Sequence, residues 1–219
     1  MTLPDPREVV PLLRGRLHLH ALWVAAAAAV ALVALAPTGR ARVAALIYGA
    51  GLCALFGASA LYHRWPGSPR VKPLLRRLDH SVIFVFIAAS YTPVGLLVLD
   101  PPLGTIVLAA AWLAAAVGVT LSIAWIDAPR WVQALTYVAT GWIVVAAMPQ
   151  LLERAGVAAF VLFAVGGAVY SLGALVYAAQ RPDPWPRVFG FHEVFHALVI
   201  AAAVVHFVAM AGWVIPGAA

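Results

Sequence analysis

Charge and cysteine are both scarce in this chain, and each scarcity excludes something. Only 10% of the 219 residues are charged, 64% are hydrophobic, and the mean hydropathy is +0.97. A soluble domain of that composition has no polar surface to present to water. The composition is that of an integral membrane protein. Cys53 is the single cysteine, so no internal disulfide can form and a cysteine-built zinc site is excluded. Long polar stretches are missing as well. A helix that crosses a bilayer uses about 20 apolar residues, so spans consume most of the chain and leave no room for a soluble domain. The net charge of +6 does not point to nucleic acid. The basic residues lie between apolar runs, where they set topology and meet the membrane surface.

What is present is a succession of apolar runs. A polar segment, 1–16, carries Arg7, Arg14 and Arg16, and a transmembrane domain occupies 17–219. Within it the runs lie at about 17–36, 43–62, 81–99, 103–125, 131–148, 157–179 and 192–214, each bounded by proline, glycine or charge. The pattern predicts an all-α membrane protein, a seven-transmembrane helix bundle whose sequential helices are largely antiparallel. The first run also fits the outline of a cleaved leader ending at Ala34, Leu35 and Ala36, but Pro37 is a poor residue after a cleavage point.

Orientation follows from the basic residues. With the N-terminus cytoplasmic, the inner segments hold Arg7, Arg14, Arg16, Arg64, Arg70, Lys72, Arg76, Arg77, Arg130, Arg181 and Arg187. The outer segments hold only Arg40, Arg42 and Arg154. The excess of positive charge predicts a cytoplasmic N-terminus, with the C-terminus outside. Segment 1–16 is then a cytoplasmic N-terminal segment. Small residues such as Gly166, Gly167 and Gly173 in the sixth run suit close helix packing and need no functional reading.

Ionisable groups inside a span are costly and mark functional sites by default. The last run opens with His192, Glu193 and His196, and the two histidines, four apart, share a helix face. The topology puts other polar groups at their depth. The second helix runs outside to inside, so His63 lies at its cytoplasmic end and Ser59 one turn deeper; the third begins inside, with Asp79 at its start. Three imidazoles and a carboxylate at one level suggest zinc held by His63, His192 and His196, an open arrangement of three protein ligands. Zinc lowers the pKa of bound water to roughly 7. Asp79 is placed to orient that water or take its proton, and Ser59 to donate a hydrogen bond to a substrate carbonyl or the water. Each residue alone has a blander reading. Asp79 suits a helix N-cap, His63 an interface, and Ser59 a bond back to its own helix.

His192-Glu-x-x-His196 also matches the zincin motif, in which the glutamate is the general base of a metalloprotease. Glu193 is equally explained as a first-turn acid at the helix start and the cytoplasmic surface. His206 lies ten residues beyond His196, about 15 Å along the axis, too far to share a metal; it reads as a buried, hydrogen-bonded histidine. His18, His20 and His80 read as interfacial, with His80 the one nearest to supporting the metal ligands.

Together these residues carry a resemblance. The run from Ser59 to His63, Leu78-Asp79-His80 leading to Ala89-Ser90-Tyr91-Thr92-Pro93, and the run from His192 to His196 resemble the hemolysin III family. That family belongs to the progestin and adipoQ receptor group, which is related to alkaline ceramidases. The resemblance covers nearly the whole chain. It implies a seven-helix bundle holding zinc near the cytoplasmic side, with His63, His192 and His196 as ligands. It further implies Asp79 acting through water, Ser59 as the serine before the first histidine, and no ligand role for Glu193. All five positions are filled here.

The resemblance leaves the activity open. The reading placed first is a zinc-dependent hydrolase of a membrane-lipid amide or ester, ceramidase-like, acting near the cytoplasmic side in membrane-lipid homeostasis. The alternatives are a receptor-like membrane sensor with structural zinc, a pore-forming cytolysin, and an intramembrane metalloprotease. The cytolysin reading finds no amphipathic release form in the sequence. The alanine- and arginine-rich composition fits a bacterial inner-membrane protein with membrane lipid as its partner and no nucleic acid.

Overall fold

A computed structural model of the protein describes residues 10–218. Arg7 and the rest of 1–9 lie outside the described residues. The order is α1 (Arg16–Leu35), α2 (Gly39–Arg64), α3 (Lys72–Leu97), α4 (Leu103–Ala124), α5 (Arg130–Gly141), α6 (Met148–Ala179) and α7 (Phe191–Ala209). Among the described residues there is no strand, only an isolated bridge between Trp185 and Phe189. The ends follow local chemistry. Thr38 caps α2 by accepting a bond from the Ala41 amide at 3.2 Å, and Pro73 and Pro149 sit in the first turns of α3 and α6, where no amide is needed.

Six helical stretches among the described residues are long and apolar enough to cross a membrane: α1 to α4, the run Arg130–Ala179, and Phe191–Val214. The fifth and sixth expected spans both fall inside the run Arg130–Ala179, so six stretches stand where seven were expected: Gln150, Glu153 and Arg154, which mark a boundary in the sequence, lie within α6. The run's 50 residues, as one straight helix, would reach about 75 Å. The run is not straight. Residues Trp142–Ala147 tighten into a 3₁₀ segment, and Gly156 leaves helical geometry at φ 81°, ψ 172°. Tyr177 donates to Gln133 Oε1 at 2.8 Å, and Trp142 donates to Ser171 Oγ at 3.0 Å. Those pairs advance in opposite directions along the sequence, so α5 lies antiparallel to the second part of α6. The 3₁₀ break frees backbone groups that Tyr91 of α3 satisfies. Its hydroxyl donates to the Gly141 carbonyl at 2.6 Å and accepts from the Val144 amide at 2.7 Å.

Loops gather at two ends. At one end, the segment before α1 bonds the α6–α7 linker through Leu12 N to Arg187 O, 3.1 Å, and Leu13 N to Val188 O, 3.2 Å. At the start of α3, Arg76 donates to Asp127 of the α4–α5 linker at 2.8 Å. At the other end, Asp100 pairs with Arg154 and accepts from Gln150 at 3.1 Å.

The core runs along α2 and α3, with Tyr48, Leu52, Phe86 and Val94 buried. Gly118 of α4 lies directly against the Phe84 ring, leaving no space for a side chain. The outer faces are apolar instead: Leu35 is 82% exposed and Val30 71%. Such faces suit acyl chains and not water.

Candidate metal centre

The site grows from three helix segments near one end of the bundle. In α2, Ser59 and His63 are one turn apart and share a face. In α7, His192 and His196 repeat that spacing. The third contribution is Asp79. Expected at the start of its helix, it is the eighth residue of α3, which begins at Lys72, two turns earlier than the apolar pattern implied. A capping role is thereby removed, since the cap lies at the preceding Val71.

The structure brings all five expected residues together. His63 Nε2 and His192 Nε2 are 3.1 Å apart. One nitrogen from each of His63, His192 and His196 lies within 4.8 Å of the other two. Tetrahedral coordination with metal–nitrogen bonds near 2.0–2.1 Å separates ligand nitrogens by about 3.4 Å. The donors present fit such an ion with small adjustment. His196 is 2% exposed and its Nδ1 has no hydrogen-bond partner. Asp79 Oδ2 stands 3.7 Å from His63 Nε2, outside direct bonding but within reach through a water. Three imidazoles with a nearby carboxylate could hold a borderline transition-metal ion, and are a poor set for calcium or magnesium.

A cavity of about 170 Å³ opens from this cluster. Ser59, Asp79, His192 and His196 contribute to its wall at one end, and Phe163, Val199 and His206 line it further along. His206, as expected, takes no part in the cluster, and its Nε2 lies 3.2 Å from the Phe163 carbonyl.

Two expectations are corrected. His18, read as interfacial, is 3% exposed and stacks on His196, with ring centroids 3.8 Å apart and planes inclined by 14°. Its Nδ1 lies 2.8 Å from Ser59 Oγ, so Ser59 is engaged within the protein. His18 also lines the cavity, as does His80, whereas His20 is exposed. Glu193, read as a surface acid, is fully buried. Its Oε1 accepts from Arg14 Nε at 2.6 Å and its Oε2 accepts from the Gly190 amide at 2.9 Å. With both oxygens held by the protein, Glu193 is a structural carboxylate and a poor general base.

The arrangement defines a multi-span helical membrane protein with a partly buried three-histidine cluster at one end of the bundle. The chain matches the family model described as Haemolysin-III related over residues 8–207, and it belongs to that family. It is 32% identical to Hemolysin-3 of Bacillus cereus over 183 residues, 83% of this chain and 80% of the relative. The Hemolysin-3 homolog of Bacillus subtilis (strain 168) is 29% identical over 161 residues, 74% of this chain and 72% of the relative. The Monocyte to macrophage differentiation factor of Homo sapiens is 30% identical over 173 residues, covering 77% and 69% respectively. No solved structure matches significantly.

Proposed function

We propose that the protein is a zinc-dependent hydrolase of a membrane-lipid amide or ester. One observation carries the reading: three imidazoles meet a carboxylate where an apolar-walled cavity ends. His63, His192 and His196 would hold the zinc, which would supply Lewis acidity and a lowered pKa for bound water. The remaining chemistry belongs to the chain. Asp79 takes the proton of the attacking water at its carboxylate, 3.7 Å from His63, and passes it to the leaving amine or alkoxide as the carbonyl–heteroatom bond breaks. Ser59 and His18 form one hydrogen-bonded unit in the cavity wall that orients the carbonyl. The apolar wall takes an acyl chain and keeps bulk water away.

The topology that suits this chemistry has seven crossings, with α5 and the second part of α6 as separate passes. Arg14, Arg16, Arg64, Arg70, Lys72, Arg76, Arg77, Arg130, Arg181 and Arg187 then face the cytoplasm, with the C-terminus outside. The metal site lies near the cytoplasmic face of a bacterial inner membrane, and membrane lipid is the partner.

A second reading, a sensor with structural zinc, draws on the same geometry, because the cluster joins α2 to α7. Turnover separates the two. Purified protein is incubated with a long-chain ceramide and, separately, a phosphatidylcholine, and fatty-acid release is followed by mass spectrometry. Asp79→Asn is expected to keep its zinc and lose about 10²–10⁴-fold in rate. Full turnover in that variant contradicts the mechanism, and absence of turnover in the wild type on both substrates assigns the metal a structural role.

A further inference from the structure

The segment just before α1 touches each helix that carries an expected ligand, and the mechanism leaves it unused. Leu12 and Leu13 bond the backbone of Arg187 and Val188 in the linker that leads into α7. Arg14 then reaches Glu193, which lies on α7 between His192 and His196 and is wholly buried. Gly15 turns the chain at φ +72°, and a Cβ there would sit 2.7 Å from His63 Cβ. A residue with a side chain at position 15 would be strained and would push on His63. Within five residues the segment therefore holds the α7 entry and packs on the end of α2.

We propose that residues 11–15 are a clamp that sets the spacing of the metal ligands, with Arg14 as a positioning residue acting through Glu193. The proposal rests on the metal reading of the three histidines. A carboxylate buried beside the ligands is tolerated because Arg14 and the Gly190 amide hold both of its oxygens. Without Arg14 that carboxylate is driven towards water. Glu193 belongs to the first turn of α7, so its departure rotates the turn that bears His192 and moves His192 away from His63. Groups that hold ligands from outside the coordination sphere commonly change metal affinity by 10–100-fold.

The experiment is a zinc titration of the full-length protein in detergent, by competition with a chromogenic chelator, beside a thermal melt of each variant. Arg14→Gln is expected to bind zinc about 10–100-fold more weakly, and Arg14→Lys, which keeps the charge, to regain most of that loss. Arg154→Gln removes an ion pair at the opposite end of the bundle and is expected to lower the melting temperature with zinc affinity unchanged. Gly15→Ala provides an independent arm through His63 and is expected to weaken zinc as well. Wild-type affinity in either Arg14→Gln or Gly15→Ala overturns the clamp while leaving the metal site standing. An Arg14→Lys variant as weak as Arg14→Gln assigns the effect to packing and also overturns it. A wild type that binds no zinc removes the metal reading itself, at a step before any variant is compared.

Discussion

His63 and His192 stand with their Nε2 atoms 3.1 Å apart although 129 residues separate them in the chain. Two imidazoles brought edge to edge inside an apolar bundle gain little from each other, because one hydrogen bond is the most they can share. His196 adds a third ring, its centroid 5.1 Å from that of His63, and has an unpaired Nδ1. A cation at the centre turns this concentration of lone pairs from a cost into a binding site.

The topology has a direct chemical test. Cys53 is the single cysteine, so a Cys53→Ala background accepts one reporter at a time. Ser68→Cys, between α2 and α3, is expected to react with an impermeant maleimide only when the cytoplasmic face is open. Thr38→Cys, between α1 and α2, is expected to react from outside in intact cells. The reverse pattern contradicts the proposed orientation.

His18 yields a second prediction. It packs flat on His196 and is hydrogen-bonded with Ser59. His18→Phe keeps the stacked ring and loses the bond, at a cost of about 1–3 kcal/mol for the polar group left behind. His18→Ala also opens a hole and is expected to cost about 3–5 kcal/mol by comparison with other ring-to-alanine changes. Thermal melts in detergent check the order. An alanine variant as stable as the phenylalanine variant shows that the stack contributes nothing.

These residues also show how far the sequence could be read. His63, Asp79, His192 and His196 were reachable because a bundle of alternating helices assigns each residue a depth, and the i, i+4 spacing assigns a face. The same argument reaches His18. A first helix that begins at the end shared with the start of α7 puts His18 at the level of His196, and proximity to the helix start disguised it as an interfacial residue. Glu193 was misread for a different reason. Its exposure depends on Arg14 folding back over the start of α7, a contact between chain ends that no local pattern encodes. Asp79 was placed too near its helix end because Lys72, Arg76 and Arg77 interrupt the apolar pattern, while the helix itself runs through them. The join between α5 and α6 differs from the expected one, since the sequence separates the two runs at Glu153 and Arg154 whereas those residues lie inside α6. The break is made by a 3₁₀ segment that Tyr91 supports from another helix, followed by a change of direction at Gly156. Hydropathy reports depth and says little about such a connection.

The central claim is that this histidine cluster is a metal site. The measurement that tests it most directly is the metal content of purified protein by inductively coupled plasma mass spectrometry, beside a His192→Ala/His196→Ala variant. The account predicts about one zinc per chain in the wild type and none in the variant, as three-imidazole coordination requires. Wild-type protein free of metal, or a variant that retains the full complement, contradicts it.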